Sequence, residues 1–193
     1  MHGALGDIVV LDLSRALAGP HAAQMLGDLG AQVIKVEQPE AGDDSRSWGP
    51  PFAGPGHDIS TYFLAANRNK RSITVDMKTA EGRTLIERLV RQSDVLVENF
   101  RTGVLDRLGF GVGRLHELNA RLVVLSITGF GHDGPEGGRP GYDQIAQGEA
   151  GLMSLTGPSP AEPYRVGTSI ADLLGGIHGA YGVVAALYER ERD

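Results

Sequence analysis

The chain contains no cysteine among its 193 residues. That excludes disulfides, thiolate metal sites and a cysteine nucleophile, and it is the usage expected of a reducing cytoplasm. Aromatic residues are few, at 6%, with a single tryptophan. No stretch reads as about 18 uninterrupted apolar residues, so no membrane span is expected. The opening residues lack the basic start and apolar run of a secretory leader. Positive charge is short as well. The formal net charge is -6, which removes any global attraction to nucleic acid or anionic membrane. An anion can then be held only by a local cluster of Lys and Arg. The histidines (His2, His21, His57, His116, His132 and His178) are scattered, and no pair has the spacing of a metal site.

What is present is ordinary globular material, 41% hydrophobic and 22% charged. The length suits one good-sized domain burying roughly 70% of the surface its unfolded chain exposes. The 28 glycines follow no collagen-like period and point to tight turns, close helix packing and backbone approach to a ligand. Short apolar runs read as strands at 8–13, 32–37, 72–76, 94–98 and 121–127. Helical patterns fall between them, at 20–29, 60–67, 79–92 and 113–119. A loop rich in Gly, Pro and Asp fills 38–58. A small-residue helix over 141–155, a proline-rich connection and one long helix over 167–192 complete the chain. Strands alternating with helices give an α/β fold with a Rossmann-like parallel sheet flanked by helices, ending in a long C-terminal helix. Ligands in such sheets bind beyond the carboxyl ends of the strands. The loops after residues 13, 37, 98 and 127 are therefore the first places to look for a site.

Four segments carry chemistry. In the last helix, Asp172 is a lone carboxylate among small and apolar residues. Thr168 or Ser169 as N-cap puts it in the first turn, where free amides favour negative charge. On residues alone the favoured reading is the plainer one, an acid that only stabilises the helix start. Asn69, Lys70 and Arg71 belong to a run with three cations within four residues, suited to phosphate or to a solvated turn. Asn99, Phe100 and Arg101, with Arg107 beyond them, begin at a strand end. Phe100 can stack on a base there, or can fill the core. Ala18-Gly19-Pro20 after the first strand lacks the spacing of a dinucleotide fingerprint or P-loop, so neither NAD nor ATP is expected. The loop from Gly129 to Pro135 is turn-rich and suits either a site cover or a plain connection.

Taken in order, several segments resemble the class III CoA-transferases, which include formyl-CoA and carnitine CoA-transferases and the related α-methylacyl-CoA racemases. They are Val10-Leu11-Asp12-Leu13 with Ala18-Gly19-Pro20, Gly30 to Glu37, Asn69 to Ile73, Asp94 to Phe100, Gly141 to Gln147, and Ile170-Ala171-Asp172. The resemblance runs from about residue 5 to the end.

It implies that Asp172 is the family's nucleophilic aspartate, forming an aspartyl-CoA thioester as coenzyme A passes from an acyl-CoA to a small carboxylate. It implies coenzyme A contacts at Asn69, Lys70, Arg71, Asn99, Phe100, Arg101 and Arg107. Leu17 and Ala18 would lie near the thioester, with Tyr142 beside the active site. No metal is implied. Tyr142 stands where the racemases carry a catalytic His, which lowers the racemase reading. Gln38 stands where some members have a CoA-binding Arg. Family members are about twice as long, with a second small domain, a returning C-terminal segment and interlocked dimers. Residues 1–193 would then be the N-terminal part of the large CoA-binding domain. The expected states are a homo-oligomer, or a heteromer with a chain supplying the other half. A non-catalytic CoA-binding or assembly subunit is the alternative, and a racemase ranks third.

Overall fold

The computed structural model describes residues 3–192, so His2 lies outside the described residues. Five strands form the sheet: β1 (Val9–Asp12), β2 (Gln32–Glu37), β5 (Lys70–Thr74), β6 (Val95–Glu98) and β7 (Val123–Ser126). A short hairpin of β3 (Phe52–Ala53) and β4 (Ile59–Ser60) stands apart in the 38–60 loop. The sheet order is β5-β2-β1-β6-β7, and every pairing is parallel. Parallel strands are buried on both faces, which is why the runs are continuous Val, Ile and Leu rather than alternating.

Helices cover both faces. On one, α1 (Ala18–Asp28) and α8 (Ile170–Arg190) pack over Val10, Val33, Val95 and Val97. On the other, α3 (Ala80–Val90), α4 (Val104–Arg107) and α5 (Val112–Leu118) cover Leu11, Leu13 and Leu96, with Ile86, Phe110 and Leu115 filling between. The small residues of α8 have a packing role. A Cβ on Gly176 would come within 2.7 Å of the Ala18 carbonyl, so glycine there lets α8 lie against α1.

Three differences from the sequence reading have physical causes. The strand expected at 72–76 begins at Lys70, because the register of β5 on β2 pairs Lys70 with Val33 and Thr74 with Glu37. The helix expected at 141–155 is two, α6 (Asp143–Glu149) and α7 (Leu152–Thr156). Gly151 separates them with φ at 77°, in the left-handed region. Helix α8 has a most apolar 18-residue window of mean hydropathy 1.5, long and apolar enough to cross a membrane by composition, contrary to the expectation of no such stretch. One face of it, Gly176, Ala180, Val183 and Leu187, is buried against the domain. A neighbouring stripe, Leu174, Ile177, Tyr181, Val184 and Tyr188, is exposed and steps alternately by three and four residues, along one side of the helix.

The chain runs from β1 through β2 to β5 on one side, then crosses back to β6 and β7 on the other. The order reverses between β1 and β6, and a crevice opens beyond the carboxyl ends of strands at such a reversal. The short loops after β1 and β6 meet there.

Candidate active site

A cavity of about 260 Å³ lies at that reversal, between the end of β6, the start of α1, the start of α6 and the start of α8. Ala18, Asn99, Phe100, Arg101, Tyr142 and Asp172 all line it. Asp172 occupies the first turn of α8, whose N-cap is Ser169.

The free amides of that turn do not serve Asp172. They are taken by Asp143, whose Oδ1 accepts from the backbone N–H of Ala171 at 2.8 Å and of Asp172 at 3.4 Å. Gln147 donates to the other Asp143 oxygen at 2.7 Å and, at its own carbonyl, accepts the N–H of Val166 at 2.8 Å. Asp143 thus caps α8 from outside the helix. No described residue donates a hydrogen bond to the Asp172 carboxylate. Burial, and then the charge of Asp143, push its pKa up to about 6. Among the described residues the site thus pairs a fixed, capped carboxylate with a second one that is unsatisfied and faces a cavity. That second group is still mostly ionised at neutral pH, and more basic than an ordinary aspartate.

One aromatic residue lines the cavity and a second acts from outside its lining. Tyr142, exposed, forms part of the wall. Tyr62 of α2 (Thr61–Asn67) stacks edge-on against Trp48 with ring centroids 5.1 Å apart. Burial pushes the Tyr62 phenol up, a hydrogen bond with Ser169 pulls against this, and Asp172 and Asp143 add to the rise. The phenol therefore stays protonated close to Asp172.

A second cavity, of about 490 Å³, lies on the other side of Phe100, which lines both. Arg15, Gln38, Met77 and Lys78 line it, and the Arg15 guanidinium stands 5.8 Å over the Phe100 ring. The two spaces together can take a long ligand with an anionic end by Arg15 and Lys78 and a reactive end by Asp172.

The sequence-predicted residues separate into those gathered here and those placed elsewhere. Asp172, Ala18, Asn99, Phe100, Arg101 and Tyr142 are brought together. Leu17 precedes α1 and lines neither cavity, although its neighbour does. Arg107 is exposed at the end of α4, and Val104 with the capping Leu108, not Arg107, faces the larger cavity.

Asn69, Lys70 and Arg71 line neither space, because this run lies at the amino end of β5 rather than in a ligand loop. Lys70 is buried and donates to Asp12 Oδ2 at 2.9 Å, to the Pro20 carbonyl at 2.8 Å and to Asn67 at 2.9 Å. Its charge is spent on Asp12. Burial would raise the Asp12 pKa, but Lys70, Lys35 and the Ser14 hydroxyl hold that carboxyl below its ordinary value. Asn69 donates to Asp28 and Arg71 to Gln32 at 3.1 Å. In this chain the run is a strand start with structural partners.

Sequence reading gave no role to Asp143, Tyr62, Arg15 or Lys78. Lys78 follows the carboxyl end of β5, a position of the same kind as the four loops singled out. Asp143 sat inside a quoted motif, but its partners lie 28 residues further on. Among the described residues no three His, Asp or Glu side chains gather as a metal ion would require.

The family model for CoA-transferase family III matches residues 5–193. Among curated relatives, the chain is 48% identical over 192 residues to a succinate–glutarate CoA-transferase of Agrobacterium fabrum, covering 98% of this chain and 48% of that protein. It is 45% identical over 191 residues to an acetyl-CoA:oxalate CoA-transferase of Acetobacter aceti, covering 98% of this chain and 48% of the relative. Among solved structures, a CaiB/BaiF family protein from Brucella suis superposes with a TM-score of 0.94 at 48% identity, covering 100% of this chain and 51% of that one. The chain thus spans about half the length of the relatives it matches.

Proposed function

The chain belongs to CoA-transferase family III, and from the geometry of its site we propose that it moves coenzyme A from an acyl-CoA donor to a small carboxylic acid, with Asp172 as nucleophile. The observation that carries this reading is the Asp172 carboxylate itself. It is fixed at the head of α8, faces a cavity, lacks a described hydrogen-bond donor and has its pKa pushed up to about 6. Such a group is basic enough to attack a thioester and still ionised at neutral pH.

The steps balance without any co-reactant. Asp172 attacks the thioester carbonyl, the C–S bond breaks, and coenzyme A leaves as thiolate from an aspartyl acyl anhydride. The thiolate attacks the aspartyl carbonyl of that anhydride and releases the donor acid as carboxylate, leaving an aspartyl-CoA thioester. The acceptor carboxylate attacks this thioester and displaces the thiolate, giving a second anhydride. The thiolate then attacks the acceptor's acyl carbon, which frees Asp172 and the new acyl-CoA. Each tetrahedral oxyanion needs a preorganised donor, and the protonated Tyr62 phenol, beside the head of α8, is one candidate.

The nucleotide end of coenzyme A fits the larger cavity, with its phosphates toward Arg15 and Lys78 and its base toward Phe100. In the smaller cavity Arg101 has no ion-pair partner among the described residues, so it is the free cation for an acceptor carboxylate. The named relatives act between acyl-CoA species and glutarate or oxalate. We extend to this chain only their shared class, a small dicarboxylate. A cytoplasmic setting belongs to the same proposal.

Incubation with an acyl-CoA and hydroxylamine tests the reading. Trapping should convert Asp172, and no other residue, to a hydroxamate visible by peptide mass spectrometry, and Asp172→Asn should abolish it. Absence of the adduct in a chain that binds coenzyme A would leave the second reading, a CoA-binding module without turnover. The half-length coverage of the relatives favours testing for that outcome, with and without the part of the family enzymes this chain does not span.

A further inference from the structure

The loop after β1, Ser14 to Leu17, divides the two cavities. Arg15 faces the larger one and Ala18, just beyond the loop, faces the smaller. Its backbone is held atom by atom from elsewhere in the fold. The Ser14 N–H donates to Asp12 Oδ1 at 3.0 Å, and its carbonyl accepts from Lys35 Nζ at 2.9 Å. The Arg15 N–H donates to Asn99 Oδ1 at 2.8 Å, and its carbonyl accepts from Asn99 Nδ2 at 2.8 Å. The Ala16 N–H donates to Asp43 Oδ1 at 3.2 Å. Asp43 in turn pairs with Lys35 at 2.8 Å, with both side chains almost fully buried. The residue at the centre of this grip, Ala16, has φ at 64°. A non-glycine residue other than Asn or Asp rarely occupies that region, and it persists only where surrounding contacts over-determine it.

Resting on the CoA-transferase reading, we propose that Lys35, Asp43 and Asn99 are positioning residues. Together they lock loop 14–17 into its strained conformation, so that Arg15 and Ala18 meet the two ends of one acyl-CoA. Asn99, which the family resemblance makes a coenzyme contact, has its oxygen and one amide hydrogen committed to Arg15. It acts on the ligand through the loop. The buried Lys35–Asp43 pair has the same purpose. Burying two charges to stabilise a fold is poor economy, whereas burying them to dictate one backbone conformation has a use beside a site.

The test uses the 193-residue chain and coenzyme A as the probe, read by titration calorimetry and by amide hydrogen exchange. Lys35→Met with Asp43→Ala removes the pair without leaving a lone buried charge, and Asn99→Ala removes the second grip independently. In the wild type the Arg15 and Ala16 amides should exchange slowly. Each variant should speed its own amide at least tenfold while Leu11 and Val97 stay protected, and should weaken coenzyme A binding at least fivefold. Adding Ala16→Gly to the pair variant should restore most of the affinity, because glycine holds that φ without help. A general loss of stability would not be rescued by a more flexible residue. The proposal is overturned if the two amides exchange freely in the wild type, if the variants bind coenzyme A as the wild type does, or if Ala16→Gly restores nothing. Should the wild type bind no coenzyme A, the functional reading fails on its own, while the exchange rates still decide whether the grip exists.

Discussion

Replacing Asp172 by Asn should make the protein more stable at pH 8 and change it little at pH 4. The folded structure raises this carboxyl from 3.8 to about 6 through burial and the charge of Asp143. Because the folded pKa lies above the unfolded one, the protonated form is the one the fold prefers. Its contribution is complete below the unfolded pKa and is lost as the pH rises through about 6. A shift of roughly two units at 1.36 kcal/mol each sets an upper bound of about 3 kcal/mol. Asp172 keeps substantial solvent exposure, so screening reduces the expected gain to about 1–2 kcal/mol. For a domain of this size that is a rise in Tm of about 3–6 °C. Thermal and urea unfolding at pH 4, 6 and 8, wild type beside Asp172→Asn, reads it directly. A variant less stable than the wild type at pH 8, or one with the same gain at pH 4 and pH 8, would refute the claim that an ionised Asp172 is held at a cost. Under the proposed reading, Asp172 would be a case of stability traded for activity.

Asp143→Asn keeps an oxygen to cap Ala171 but removes the charge. The Asp172 midpoint, followed by carboxyl carbon NMR, should fall below about 6 yet stay above 3.8, since burial is the larger cause; an unchanged midpoint would mean Asp143 does not act by its charge. Lys70→Met leaves buried Asp12 without its hydrogen-bonded counterion, with only the less direct charge of Lys35 remaining, and should cost about 3 kcal/mol in urea unfolding, with most of it recovered when Asp12→Leu is added. If Lys70 instead serves a ligand, the single variant will unfold normally and lose coenzyme A affinity. Gly176→Ala gains about 1 kcal/mol of helix propensity but drives a Cβ to 2.7 Å from the Ala18 carbonyl. The clash should win, lowering Tm and weakening coenzyme A binding together, because Ala18 lines the cavity.

The parallel sheet was legible because its strands are buried on both faces and so form unbroken apolar runs between helix signals. Its edges were less so. Lys70 and Arg71 look like a turn in sequence, and only the placement of β5 two strands from β1 turns Lys70 into the counterion of Asp12. The two-residue strands β3 and β4 and the single turn of α4 are too short to leave a period. The residues gathered at the site follow the same division. Ala18, Asn99, Phe100 and Arg101 follow the ends of β1 and β6, so the rule for parallel sheets finds them. Asp172 was visible as a lone acid at a helix start. Asp143 was not, because the amides it binds belong to a helix 28 residues further along the chain. The grip on loop 14–17 joins residues 27 and 84 positions apart, separations that carry no local pattern.

The loop between β7 and α6 narrows to a neck. A Cβ built on either Gly129 or Gly141 would sit 2.4 Å from the other's Cα, so the two backbones touch where the loop leaves the domain and where it returns. Residues 130 to 140 leave and return through that waist, with His132 tied back to Ser126 at 2.9 Å and Arg139 to Glu149 at 2.8 Å, and Arg139 and Pro140 reach into one wall of the smaller cavity. The segment is therefore an exchangeable panel. Lengthening, shortening or grafting it should alter what the wall admits while Tyr142 and Asp143, anchored beyond the neck, stay where they are. Changes in that panel can accumulate without disturbing the sheet or the placement of the Asp172 carboxylate.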